Sequence, residues 1–479
     1  MRVLSVTAGA AGMYCGSCSR DNALAVELIA RGHDVTLLPL YTPTNPDEPN
    51  VSRDRVLFGG ISIYLQQYVP LFRKLPRVFD RLWDSPRVIN AFASRSLSTD
   101  PRLLGDMTVS MLEGDRGVLR KEFDKLLEWT AGEPAPDVIN LSNSLLISLA
   151  RPLREAFDRP VCCTLQGEDL FLEELIEPYR TKAIELIRRQ AAEVEAFIAV
   201  SEYYVPVMAR LLAVPESRIA VVPLGINMKG YVQRPPRAQS TDAFRVGYFA
   251  RIAPEKGLHF LAQAYELFRR RVSQTVPQTG SQTGSQTGSQ TVSQTGSQTV
   301  SDTVSDPVSG TVSDPARPIR LDAAGYLGRA HVPYLEGVKR QLAKAGLLDE
   351  FMYHGAVDRN GKLAFLQTLD LLSVPATYDE PKGVFLLEAM ASGVPVVQPR
   401  RGSFTEMVET TGGGLLVKPN DPEALAEGLF ELWRDPAKGD ALGARGFQGV
   451  RAHYSVGRSA DLQLDVYESM LARPRVRQA

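Results

Sequence analysis

The stretch RVLSVT (Arg2–Thr7), followed at once by AGAAG (Ala8–Gly12), decides the fold class. Its first six residues are β-rich and alternate in polarity, which predicts a strand. Beyond the glycine loop, Leu24, Ala25, Leu28 and Ile29 recur at helical spacing, and Gly32 supplies a helix stop. Val35–Leu40 then reads as a second strand. Strand, glycine loop, helix and strand form a βαβ unit, and parallel strands joined by helices imply a doubly wound α/β domain. Further buried-strand candidates follow at Val138–Leu141, Val161–Thr164, Phe197–Val200 and Ile219–Val222. Residues 56–132 break this alternation and read as a helical insertion rich in aromatic and basic side chains.

The pattern then restarts. Pro235-Pro236 interrupts the chain, with a boundary near residues 228–242. Phe244–Phe249 reads as a strand, Ala250–Lys256 as a loop and Leu258–Arg271 as a helix. Strand candidates continue at Ile319–Tyr326, Phe351–His354, Leu371–Val374, Pro395–Gln398 and Leu415–Val417. The expected division is an N-terminal Rossmann-like unit over 1–228 and a C-terminal one over 229–456, followed by a final helix within 457–479. Between Ser273 and Pro315 lies a four-residue repeat of the SQTG type, without aromatic, Lys or Arg residues. Such a segment buries too little apolar surface to offset its ordering entropy, so it is expected to be a disordered insert. It falls in a helix-to-strand connection, where long insertions cost little.

Composition excludes several classes. The chain has 479 residues, with 54 Lys plus Arg against 55 Asp plus Glu, a net charge of −1. Binding nucleic acid through bulk charge needs a basic excess, and none is present. No apolar run is long enough to span a bilayer, and no targeting segment is evident, which points to the cytoplasm. Four cysteines do not make a disulfide framework. Cys15-Gly16-Ser17-Cys18 imitates a redox motif, and with Cys162-Cys163 it is expected to place reduced thiols along a cleft rather than a metal site. Gln66–Arg95 combines aromatic and basic side chains. Burial against the first unit explains it, and the alternatives are an acceptor-binding lid or peripheral contact with an inner membrane face.

Two segments carry chemistry. In DEPKGVFLLEAMASGVPVV (Asp379–Val397), a strand is followed by a helix opening near Gly383. There the backbone N–H groups of Gly383, Val384 and Phe385 and the helix dipole can receive an anion. Glu388, further along the helix, suits two vicinal hydroxyls of a ribose, and Glu380 in the preceding loop can reach a sugar hydroxyl. In FARIAPEKG (Phe249–Gly257), Arg251 and Lys256 follow the first strand of the second half, where open α/β sheets bind ligands. Those two cations suit the oxygens of a leaving diphosphate.

The pairing of ARIAPEKG with two glutamates eight residues apart, running into EAMASGVPVV, resembles the retaining glycosyltransferases of family four. The resemblance is most specific over 244–260 and 351–425. It implies the GT-B fold, two Rossmann-like domains facing across a cleft, and transfer of a sugar from a nucleotide-diphosphate-sugar with retention. It implies no essential metal or other cofactor. On it Arg251 and Lys256 hold the diphosphate, Glu388 the ribose and Glu380 the donor sugar. Gly9 and Gly12 lie near donor and acceptor, and His354 lies near the nucleobase. The acceptor, whether saccharide, lipid-linked or small molecule, is not named by the sequence. One position departs from the family pattern: Gln166 stands where a histidine is usual. Gln cannot titrate near neutrality, so this site offers hydrogen bonds only. Two other readings remain open at this point: a sugar-nucleotide epimerase, and a GT-B scaffold that binds donor without turnover.

Overall fold

The structure is a computed structural model that describes residues 1–9, 16–46, 48–53, 56–58, 101–237, 242–275 and 317–472. Gly12, Cys15, Gln66–Arg95 and the repeat beyond Thr275 lie outside the described residues.

The first sheet contains β1 (Arg2–Thr7), β2 (Asp34–Pro39), β3 (Val138–Leu141), β4 (Val161–Leu165), β5 (Ala196–Ala199) and β6 (Ile219–Val221). The second contains β7 (Phe244–Phe249), β8 (Ile319–Ala324), β9 (Phe351–Tyr353), β10 (Leu371–Leu372), β11 (Val396–Pro399) and β12 (Gly414–Val417). Each sheet has six strands, in the orders β2-β1-β3-β4-β5-β6 and β12-β11-β10-β7-β8-β9. Every pairing is parallel. Both sheets are doubly wound, so each reverses its winding at one point: between β1 and β3, and between β7 and β10.

Alternate residues of the central strands feed different cores, as a period of two requires. Leu4, Ile139, Cys163 and Phe197 join one apolar cluster, while Val3, Val138, Cys162 and Ile198 join another on the opposite face. That second face is covered by the Val456–Ala472 helix, which buries Tyr467 and Met470 against it. The cysteine expectation is corrected here. Cys162 and Cys163 are buried in the two cores, not gathered at a cleft, and burial pushes both thiols well above their usual range.

The helix after β7 extends past Arg271 to Thr275, so the first residues of the repeat complete a helix. Chain returns at Arg317, whose guanidinium is buried 2.8 Å from Asp370 Oδ1 and lies over the Phe244 ring. The Asp370 carboxylate also accepts from the Arg245 backbone N–H at 2.8 Å, which ties the start of β7 to the residue before β10.

Candidate active site

The second sheet reverses its winding between β7 and β10, so the loops leaving these strands diverge and open a crevice. Those loops carry the residues singled out from sequence. They touch closely: Thr377 N–H donates to Glu255 O at 2.9 Å. At Gly257, with φ +76°, a Cβ would lie 2.0 Å from the Pro375 carbonyl oxygen, so only glycine lets the β7 loop close here. The contact brings Lys256 to Glu380 in an ion pair joined by the Tyr378 hydroxyl, which donates to the same carboxylate oxygen. The Lys256 ammonium also lies 4.9 Å from the Tyr378 ring centroid and 5.5 Å from that of Phe385.

The Glu380 carboxylate is buried, which by itself opposes ionisation. The Lys256 ammonium, the Tyr378 hydroxyl and Lys382 outweigh this and hold its pKa down to about 2. Burial and the adjacent Glu380 charge push the Tyr378 phenol far up. Arg251 is placed differently. It pairs with Glu255, with 53% of its side chain exposed.

Glu380 is fixed from behind, because its carbonyl accepts from Ser403 N at 2.9 Å and Ser403 Oγ at 2.8 Å. Three residues on, Gly383 adopts φ +59° at the start of the Val384–Ala391 helix, with no side chain capping it. The first N–H groups of that helix, at Val384 and Phe385, therefore remain available to an anion beside Lys256.

Glu388, buried on the same helix, lines a narrow cleft together with Arg20, Glu48, Tyr231, Lys362 and Val384. Its Oε1 accepts from Lys362 Nζ at 2.6 Å and from the Tyr231 hydroxyl at 3.1 Å. His354, expected near the base, is not among the residues lining that cleft. Its Nε2 lies 2.8 Å from Asp322 Oδ1, and Asp322 is also paired with Arg245 at 2.7 Å.

The first unit faces this site with the loops after β1 and β4. Gly9 has φ +91° and packs on the Thr42 carbonyl. Gln166 is buried, its Nε2 donating to Asp21 Oδ1 at 3.2 Å and Ser142 O at 2.8 Å. Its Oε1 is buried without a hydrogen-bond partner among the described residues. Asp21 also accepts from Thr7 Oγ1 at 3.0 Å, and burial raises its carboxyl pKa. Glu168 and Asp169 do not substitute for a histidine. The Glu168 carboxylate takes the backbone N–H groups of Ser144 and Gln166, and Asp169 takes the Tyr204 hydroxyl.

Among the described residues, several contacts cross between the units around this site. Ser201 Oγ donates to Pro381 O at 3.1 Å, Tyr203 N to Glu406 Oε2 at 2.9 Å, and Lys382 Nζ to Ser17 Oγ at 3.0 Å. The structure thus gathers Lys256, Glu380, Gly383 and Glu388 on one wall, with Gln166 across the seam and Arg251 at the rim. Sequence reasoning gave no role to Tyr378, Lys382, Tyr231, Lys362 or Asp21. Lys362 carried a signal, since it shares a helix face with Phe365 and Leu366. Tyr231 carried none.

Two doubly wound six-stranded parallel units meeting across a seam, with an uncapped helix start at Gly383 and the buried carboxylates of Glu380 and Glu388 on one side of it, are the arrangement of a GT-B glycosyltransferase. Family comparison agrees: the family described as "Glycosyl transferase 4-like domain" matches residues 20–225, and "Glycosyl transferases group 1" matches 313–448. The chain belongs to the family-four-like GT-B glycosyltransferases. It is 31% identical over 152 residues to a lipopolysaccharide core biosynthesis mannosyltransferase of Rhizobium meliloti, covering 31% of this chain and 42% of that protein. A D-inositol 3-phosphate glycosyltransferase of Salinispora tropica is 37% identical over 114 residues, covering 24% of this chain and 23% of that protein. The matches thus span well under half of these curated relatives. Among solved structures, sucrose-phosphate synthase of Thermosynechococcus elongatus superposes with TM-score 0.63 at 17% identity, covering 98% of this chain and 99% of that one. HepE of Anabaena, in complex with UDP and glucose, gives 0.60 at 16% identity, covering 98% and 100%.

Proposed function

We propose that this glycosyltransferase moves a sugar from a nucleotide-diphosphate-sugar to an acceptor with retention, the second unit holding the donor and the first the acceptor. The observation that carries this reading is the group formed by Lys256, Tyr378 and Glu380 beside the uncapped helix start at Gly383. In the reaction the bond from the anomeric carbon to the diphosphate breaks and a bond from the acceptor oxygen forms. The acceptor proton leaves on the departing diphosphate. Lys256, Arg251 and the N–H groups of Val384 and Phe385 stabilise the charge that develops there. A carboxyl with a pKa of about 2 is ionised at neutral pH, so Glu380 accepts hydrogen bonds from a sugar hydroxyl and does not serve as an acid. Gln166 adds a fixed acceptor across the seam.

Supporting this reading, the HepE neighbour holds UDP and glucose, and a mycobacterial relative is named as GDP-mannose-dependent. The acceptor class remains saccharide, lipid-linked or small molecule, with peripheral membrane docking as part of the proposal. Among the described residues no helix is long and apolar enough to cross a membrane.

The test is a thermal-shift panel of nucleotide-sugars. A bound donor raises Tm, by an amount that grows with the logarithm of its concentration over Kd. One donor should stabilise the wild type and lose that effect in Glu388→Ala and Lys256→Ala. No response to any donor would overturn the reading. Binding without transfer or hydrolysis would leave a donor-binding scaffold instead.

A further inference from the structure

Lys362 sits where an apolar residue would pack more cheaply. Its helix, Arg359–Thr368, is already capped by Asp358, whose side chain accepts from Gly361 N at 2.7 Å. The helix also packs through buried Phe365 and Leu366, which share a face with Lys362. Burying an ammonium on that face carries a desolvation cost that a methionine would not. In return the lysine reaches Glu388, with only 5% and 6% of the two side chains exposed. Lys362 Nζ and the Tyr231 hydroxyl both fall on Oε1, at 2.6 and 3.1 Å. Glu388 Oε2 accepts no hydrogen bond from the described residues, and the residue lines the cleft between the two units.

We propose that Lys362 is a positioning residue for ribose recognition. With Tyr231 it pins one carboxylate oxygen of Glu388 and balances its buried charge. The second oxygen is then held to accept from the vicinal hydroxyls of a ribonucleotide. This rests on Glu388 as the ribose anchor. Tyr231 lies in the connection between the units and Arg359 stacks over its ring, with the guanidinium carbon 5.7 Å from the centroid, so the pin is braced from the hinge.

The experiment measures binding of UDP, GDP and ADP against their 2′-deoxy counterparts by calorimetry. The wild type should prefer the ribo form of its nucleotide by roughly tenfold or more, the worth of one hydrogen bond to a charged group. Glu388→Gln should lose that preference. Lys362→Met should lose it too, while Lys362→Arg, which retains the charge, should keep most of it. Should the methionine variant not fold, Lys362→Gln reads the same quantity. A preference lost in Glu388→Gln but kept in Lys362→Met overturns the role of Lys362 and leaves the anchor standing. A preference kept in Glu388→Gln, or binding of none of the nucleotides, overturns the anchor reading itself.

Discussion

Lys382 of the second unit donates from Nζ to Ser17 Oγ of the first at 3.0 Å, two residues along the chain from Glu380 and one before the helix start at Gly383. The bond joins the loop proposed to hold phosphate to the first helix of the opposite unit. A lysine is well suited to this, because its compact charge sits on a flexible stem that can stay engaged through small rotations of the units.

The first prediction concerns this link. Lys382→Ala removes a charge-assisted bond, worth about 1.5–3 kcal/mol. Donor KM should rise roughly tenfold, and small-angle scattering should show a larger radius of gyration in the free protein. Ser17→Ala should move both quantities in the same direction but less, since the ammonium keeps its charge beside the Glu380 carboxylate. Unchanged KM and radius in Lys382→Ala would show that the bond does not contribute to closure.

The second prediction is a pH dependence. Glu380 has a pKa depressed in the folded state to about 2, against 4.5 for an unperturbed glutamate. A depressed carboxyl binds fewer protons folded than unfolded, so its contribution is full above the unfolded pKa. That contribution is lost as pH falls from about 4.5 toward 2. Over that window the wild-type Tm should fall more steeply than that of Glu380→Gln. Parallel curves for the two proteins would mean that the Lys256 pairing does not shift this group.

How much of this was legible in the sequence depends on distance along the chain. All twelve strands were legible because a parallel sheet buried on both faces writes its strands as short apolar runs. Lys256 and Glu380 were legible because each sits at a fixed offset after a strand at the point where the winding reverses. Their partners were harder. Tyr231 and Lys362 meet Glu388 from 157 and 26 residues away, and Asp21 meets Gln166 from 145. Such pairs follow from topology, which local periodicity does not encode. The cysteines show the converse error. Cys162-Cys163 was expected at the cleft because the pair was placed at a strand end, whereas both residues lie within β4 and, as neighbours on a strand, face opposite cores.

The third prediction uses Gly257. An alanine there must hold φ +76° and place its Cβ 2.0 Å from Pro375 O. The positive φ alone costs roughly 1–2 kcal/mol, and relief of the clash must separate the β7 and β10 loops. Gly257→Ala should therefore lower Tm and weaken donor binding together. A normal donor affinity in a destabilised variant would show that Lys256 and Glu380 are positioned independently of this turn.

The last prediction returns to the repeat. The Leu258–Thr275 helix starts just beyond Gly257, at the ligand edge of the second sheet, and runs back to the opposite edge. The chain re-enters at Arg317, and Ile319 pairs with Phe244, the first residue of β7. Both attachment points of the repeat therefore lie at the N-terminal edge of the strands, away from Lys256, Glu380 and Glu388. Re-entry is secured by Arg317 on Asp370. Loop-closure entropy depends weakly on length, about 0.6 kcal/mol per doubling, so a shorter connection should be neutral or slightly stabilising. Replacing Val276–Pro315 with a Gly/Ser linker long enough to span the gap should leave donor affinity unchanged and Tm equal or slightly higher. A large loss of donor affinity with Tm preserved would assign the repeat a part in the site, and would mean that it reaches around the sheet to the opposite edge.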